Sequence, residues 1–207
     1  MSSTLLEKHT ERPRAVPHVA RSNAAVPRHL ALALNDVPHF GEPAVADAAE
    51  ALRALLKGCV ERRVSVLTLV TPGAPELFDA ALAQVQAELA DARQAGVSIN
   101  INASRDGRAE LLEAVRRAAS EAQAGTCSPD AIDAKKLEAG LSTSGLPAVD
   151  LLISSGGGAR LDGVLLWQCA YAELLFLDGP WHQFTRAHFD QALADYAGRC
   201  RKFGGLA

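Results

Sequence analysis

Ser154-Ser155-Gly156-Gly157-Gly158-Ala159-Arg160 is the stretch of this sequence best suited to chemistry. Glycines let a backbone approach an anion closely, and an arginine at the end of the run can neutralise it. The same residues also suit a flexible turn after a strand, and by themselves they favour that reading. A P-loop is excluded, because no Gly-Lys-Ser/Thr follows. Glu173 stands inside the apolar run VLLWQCAYAELLF (164–176). A carboxylate there is costly unless it is paired or metal-bound; the alternative is an exposed turn of an interface helix. Arg105, Asp106 and Arg108 cluster after a candidate strand, where α/β folds place ligands, although a solvated helix start explains them equally well. His29, His39, His182 and His188 lack HExxH or other ligand spacing, which argues against a histidine metal site. No GxSxG elbow supports a serine hydrolase.

These residues need elements to hold them. RHLALAL (28–34) is a short apolar run stopped by the prolines and glycine of NDVPHFGEP, and it reads as a buried strand and a loop. Ala48, Leu52, Leu55, Leu56 and Cys59 recur by threes and fours, the stripe of an amphipathic helix. VSVLTLV (64–70) is β-branched and nearly all apolar, as a strand covered on both faces should be. Pro75 opens a predicted helix with Phe78, Leu82, Val85 and Leu89 on one face, ended by Gly96. VSININA then alternates into a strand with one polar face. A helix over 108–123, closed by Gly125, precedes a short helix capped by Ser128-Pro129-Asp130. VDLLIS (149–154) is a strand entering the glycine run, and TRAHFDQALADYAGRCRKF is a last amphipathic helix. The run 164–176 is apolar at nearly every position, so periodicity does not assign it. Alternating strands and helices predict a single α/β domain with a mostly parallel central sheet flanked by helices. Residues 1–26 are polar and proline-punctuated, which predicts a mobile tail before a domain over 27–207.

The composition bounds the partners. The chain has 207 residues, 48% hydrophobic and 22% charged, and a net charge of -3 at pH 7. That balance fits a soluble globular protein and gives no electrostatic case for nucleic acid. Cys59, Cys127, Cys169 and Cys200 form no CxxC pair, which favours a reducing compartment over a disulfide or zinc framework. No apolar run is long enough to span a bilayer, so the expected location is the cytoplasm, with at most peripheral membrane contact.

The segment VDLLISSGGGARLDGVLLWQCAYAELLFLDGPWHQF resembles the C-terminal signature of the cis-prenyltransferase (undecaprenyl diphosphate synthase-like) family. There a strand leads to an Arg-Thr-Gly/Ser-Gly-Glu-x-Arg loop, a Leu-Leu-Trp-Gln-x-Ala-Tyr-Ala-Glu-Leu helix and a Trp-x-x-Phe turn. Leu165 to Gln168 and Ala170 to Leu174 match letter for letter, Trp181 and Phe184 keep the spacing, and RKFGG resembles the family's Arg-Arg-Phe-Gly-Gly tail. The resemblance implies Mg²⁺-dependent condensation of an allylic diphosphate with isopentenyl diphosphate, and a dimer formed through the C-terminal region. It makes Arg160, Ser154, Ser155 and Gly157 the diphosphate loop and Glu173 the Mg²⁺-linked glutamate. It places Trp167, Tyr171, Leu174 and Trp181 at the interface, and Arg201, Lys202 and Gly204 in a tail reaching a neighbouring site.

Departures from the pattern are as informative as the matches. The family's catalytic Met-Asp-Gly-Asn-Gly-Arg-Trp is replaced by Leu34-Asn35-Asp36-Val37-Pro38-His39-Phe40. Asn35 removes the carboxylate a metal needs, Pro38 cannot donate an N–H, and His39 lacks the arginine fork. Asp36 and His39 are left as candidate catalytic substitutes. In the glycine loop Ser154 stands for the first arginine, Gly158 for the glutamate and Asp162 for a phosphate-binding serine. The region between VLTLV and VSINI is shortened. The resemblance therefore implies an accessory, catalytically degenerate subunit, with Mg²⁺ held in the partner or the complex. Its partner would be a catalytic cis-prenyltransferase or, failing that, a second copy; the alternative is an active enzyme making a short or branched prenyl diphosphate.

Overall fold

The sequence of short, wholly apolar strands and amphipathic helices builds a five-stranded parallel sheet in the computed structural model, which describes residues 26–35, 45–71, 75–102, 106–156, 158–161 and 163–199. Its strands are β1 (His29–Ala33), β2 (Val66–Val70), β3 (Ser98–Asn102), β4 (Leu151–Ser154) and β5 (Glu173–Phe176). Their order across the sheet is β3-β2-β1-β4-β5, all parallel. The chain winds outward from β1 in one direction through β2 and β3, then returns to β1's other side for β4 and β5. That reversal makes the carboxyl ends of β1 and β4 the switch point of the sheet, the crevice position where open α/β sheets bind ligands.

Period-two alternation along β1 fixes which face carries which helices. Leu30, Leu32 and Leu34 point into the larger core with Leu67, Leu69, Leu151 and Ile153. That face is covered by α1 (Val45–Arg62), α2 (Pro75–Gln84), α3 (Gln86–Gln94) and α6 (Arg186–Gly198), while α4 (Gly107–Gln123) and α5 (Ala134–Glu138) come between β3 and β4 in the chain. Ala31 and Ala33 point the other way, into a smaller cluster with Val70, Leu152, Val164 and Leu165. Each fully buried leucine contributes about 2 kcal/mol of burial. In α1 the stripe Ala48, Leu52, Leu55, Leu56 and Cys59 is buried as its spacing predicts. Gly58 is required on that stripe, because an added Cβ would fall 2.7 Å from the Phe189 ring of α6.

Several sequence expectations change. The helix predicted from Pro75 is two helices, broken at Val85, whose N–H bonds Leu82 rather than continuing the α ladder. The segment expected as the Leu-Leu-Trp-Gln helix is a run of turns over 163–171 leading into β5. Leu165 adopts φ 46, which no α-helix accommodates. An all-apolar run suits a strand covered on both faces as well as a buried helix, and pairing with β4 decided it. On the polar face of β3, Ser98 is exposed while Asn100 and Asn102 donate to Ser142 O and Ser142 Oγ at 3.3 and 2.8 Å. The predicted tail and Asp36, His39, Gly157, Arg201, Lys202 and Gly204 lie outside the described residues, apart from Val26.

His29, fully buried at the start of β1, holds the amino end of the sheet together. Its Nδ1 lies 2.7 Å from Pro147 O and its Nε2 2.8 Å from Thr68 Oγ1. Asn100 Nδ2 donates to the same Thr68 oxygen at 3.3 Å. The pattern fits a neutral ring: Nδ1–H donates to the carbonyl and Nε2 accepts the threonine proton. Burial drives the His29 pKa below its ordinary 6.5, outweighing the Pro147 hydrogen bond and the Asp150 charge, which pull it up. The unfolded chain therefore binds more protons just below that pH, so this contribution to stability is complete above about pH 6.5 and is lost as pH falls through the folded-state value. Urea midpoints measured from pH 7.5 to 5 should fall with pH. Thr68→Val, which strips Nε2 and Asn100 of their shared partner, should cost about 1–3 kcal/mol at pH 7.5.

Candidate functional site

Three chain segments meet at the carboxyl ends of β1 and β4. Leu34 N donates to Val70 O, which extends β1 one residue towards Asn35. The Asn35 N–H donates to Ser155 Oγ at 3.0 Å, and Ser155 Oγ donates to Ala33 O at 2.9 Å. Asn35 Nδ2 donates to Ser154 Oγ at 3.0 Å, and that hydroxyl donates to Arg160 O at 3.0 Å. Gly156, with φ +109, donates its N–H to Gly179 O, and a Cβ on it would lie 2.7 Å from Asn35 Cβ. The positive φ and the close approach both require glycine at 156. Ser154 and Ser155 are 3% and 5% exposed, whereas Arg160 is exposed to solvent. The structure thus brings Ser154, Ser155 and Arg160 together with Asn35, residues separated by more than a hundred positions in the chain.

Glu173 sits elsewhere. It opens β5 in register with Leu151, while Ser154 pairs with Phe176. Three residues of parallel strand separate the two levels, roughly 10 Å along the sheet. Glu173 Oε2 accepts from Arg199 Nη1 at 3.2 Å. Arg199 also donates to Leu174 O at 2.7 Å and to Asp195. The carboxylate that is expensive in an apolar run is therefore ion-paired, and the pair ties the end of α6 to the first residue of β5.

A resident Mg²⁺ does not fit the described residues. The centre of the crevice offers an amide and two hydroxyls already engaged with one another, none of them the hard anionic ligand the ion prefers. Among the described residues no three of His, Cys, Asp and Glu gather to hold a metal. Cys59 and Cys169 are poor nucleophiles, since burial pushes both thiols up to about 12. Asp106 is absorbed locally: its carboxylate accepts the N–H groups of Arg108 and Ala109, capping α4 (Gly107–Gln123).

The expected interface residues divide. Trp181 is 1% exposed and packs edge-on against Phe78 at 6.2 Å, so it belongs to the chain's own core, not to a subunit contact. Leu174 turns inward onto the smaller core cluster, as alternation along β5 dictates. Trp167 is half-buried, with Nε1 donating to Glu138 at 3.3 Å. Only Tyr171, 63% exposed, faces outward, joined by Leu166 at 46% and by Leu112 and Val115 on α4. Sequence reasoning missed these last two because they fall on the polar side of a helix with few buried positions. It also missed His29, Thr68, Asp150 and Arg199, which read as ordinary polar residues until the fold pairs them.

The profile of the family described as "Putative undecaprenyl diphosphate synthase" matches residues 70–204. That span takes in the end of β2, the glycine loop and β5, and leaves out β1 and Asn35. An isoprenyl transferase of Rhizobium meliloti (strain 1021) is 41% identical over 122 residues, covering 59% of this chain and 49% of that protein. The ditrans,polycis-undecaprenyl-diphosphate synthase of Escherichia coli (strain K12), named as (2E,6E)-farnesyl-diphosphate specific, is 40% identical over 120 residues, 58% of this chain and 47% of its own. The chain thus spans about half the length of these curated relatives. In fold it is similar to lavandulyl diphosphate synthase from Lavandula x intermedia, solved in complex with dimethylallyl diphosphate. The TM-score is 0.70 at 21% identity, over 87% of this chain and 99% of that one. The family's profile covers most of the chain, and the fold is that of a solved structural neighbour: this protein belongs to the cis-prenyltransferase family.

Proposed function

We propose that this chain is a catalytically degenerate, accessory subunit of a cis-prenyltransferase complex in isoprenoid biosynthesis. In this reading it lends an interface and its C-terminal segment to a partner that keeps a complete catalytic loop. The observation that carries the proposal is the Asn35–Ser154 hydrogen bond at the mouth of the crevice. Where the family resemblance calls for an aspartate and an arginine, this chain joins an amide to a hydroxyl. The engagement of Glu173 by Arg199 supports the same reading, because it occupies the carboxylate that the resemblance links to Mg²⁺.

The partner surface is the apolar one left open by the fold. Leu112 and Val115 lie on α4, and Leu166 packs beside Gly107 at the first turn of that helix, where an added Cβ would meet Leu166 N at 2.7 Å. Side chains this large, so exposed, stabilise a subunit contact when covered. The occupant is a catalytic cis-prenyltransferase subunit or, in its absence, a second copy of this chain. Isopentenyl and allylic diphosphates are the substrates of the assembled complex, with Arg160, Ser155 and Gly157 on this chain's side and Arg201, Lys202 and Gly204 presented to the partner.

A second reading, an active enzyme making a short or branched prenyl diphosphate through Asp36 and His39, is favoured by the 40–41% identity to relatives named as transferases and synthases. The two separate in one assay. Purified by itself, the chain should not condense isopentenyl diphosphate with geranyl or farnesyl diphosphate above background; turnover abolished by Asp36→Ala would establish the second reading.

The complex itself is tested with a full-length cis-prenyltransferase from the same cell. Leu112→Lys with Tyr171→Asp should weaken co-purification at least ten-fold without altering the thermal transition. Truncation after Arg199, which keeps the Glu173 tie, should leave the complex assembled and lower its turnover at least ten-fold. Equal turnover of truncated and full-length complexes would remove the C-terminal segment from the mechanism.

A further inference from the structure

The hydrogen bonds joining β1 to β4 have a direction, and that direction dictates the residue at position 35. A serine hydroxyl carries one hydrogen. Ser154 donates it to Arg160 O at 3.0 Å, so what Ser154 offers towards β1 is a lone pair, and the group facing it at 3.0 Å must be a donor. The Asn35 amide is one. An ionised aspartate has acceptors only, and would set its charge against the serine lone pair or take the Ser154 proton and strand the Arg160 carbonyl. Ser154 is 3% exposed, so little water is at hand to separate its lone pair from that charge.

We infer that Asn35 is a positioning residue: through Ser154 it fixes the backbone of Arg160, so that the loop leaving β4 is shaped for a phosphoanion by an uncharged pair. Three further contacts make the arrangement stiff. Asn35 N is held by Ser155 Oγ at 3.0 Å, Arg160 N donates to Gly158 O at 3.0 Å, and Gly156 closes against Asn35 Cβ. The inference deepens the proposed function and rests on its assignment of Arg160 to diphosphate binding. It reverses the expectation that the family pattern creates. Asn35→Asp should not move this chain towards a working site; it should dismantle the loop.

The test uses the full chain and two readouts. Without ligand, amide hydrogen exchange at 158–160 should accelerate at least ten-fold in Asn35→Asp, while exchange in β1 and β2 stays slow. Ser154→Ala, a smaller change in the middle of the same chain of bonds, should do likewise and carries the test if Asn35→Asp folds poorly. Ser154→Thr, which keeps the hydroxyl, should exchange as the native chain does. With inorganic pyrophosphate as the probe, calorimetric affinity should fall at least ten-fold in Asn35→Asp and Ser154→Ala, with or without Mg²⁺, and hold in Ser154→Thr. Unchanged exchange in Asn35→Asp and Ser154→Ala, or tighter pyrophosphate binding by Asn35→Asp in Mg²⁺, would overturn the inference. If Arg160→Gln binds pyrophosphate as the native chain does, the diphosphate assignment of Arg160 fails, and the exchange comparison still decides the positioning role.

Discussion

The pairing of β1 with β4 is the constraint on which the rest of the molecule depends. β1 and β4 join the two halves of the chain: Leu30 to Ala33 of β1 pair with Leu67 to Val70 on one side and with Leu151 to Ser154 of β4 on the other. The register is set by side-chain alternation, because a one-residue slip would exchange Leu30 and Leu32 with Ala31 and Ala33 between faces of very different depth. Asp150 locks the amino end of the joint, its carboxylate accepting both the Arg28 and His29 N–H groups at 2.9 and 3.1 Å. At the carboxyl end the same register brings Asn35 against Ser154. The crevice and its chemistry are both consequences of that one alignment.

Where the described residues of β1 and β4 meet, the joint is uncharged. An aspartate and an arginine facing each other there would attract a metal strongly; an amide and a hydroxyl satisfy one another and leave little to hold one. Arg160, the charged group among the described loop residues 154–161, is exposed to solvent. The larger ionic cluster, Arg199 with Glu173 and Asp195, has been turned to structure at the opposite end of β5. A half-buried guanidinium with three acceptors ties α6 to the sheet edge and sets where the C-terminal segment departs. The described charges near β5 thus serve cohesion, which is what the proposed accessory role would require.

Most of the fold was legible in the sequence because its signals are local. Apolar runs such as VLTLV and the threes-and-fours stripe of α1 announce a strand and a helix without help from tertiary context. The resemblance to the family was legible too, since the match from Leu165 to Leu174 is contiguous. What failed was non-local. Residues 164–176 are apolar at nearly every position, and only pairing with β4 separates turns and strand from a helix. Trp181 reads as a surface anchor until Phe78, a hundred residues earlier, encloses it. The site divides the same way: Ser154 and Arg160 stand out as a glycine-loop motif, but the partner that orients them, Asn35, reads only as a lost catalytic aspartate. A hydrogen bond spanning 119 positions leaves no trace in either segment's pattern.

The proposed accessory role requires that this chain hold no Mg²⁺ of its own at the carboxyl ends of β1 and β4. Calorimetric titration of Mg²⁺ into the purified full-length chain addresses it most directly, because the ligands are counted without reference to any substrate or partner. The account predicts no saturable heat up to millimolar Mg²⁺, and the same flat response in Asp36→Asn and Glu173→Gln. A stoichiometric site that saturates below millimolar Mg²⁺ and disappears in either variant would contradict it.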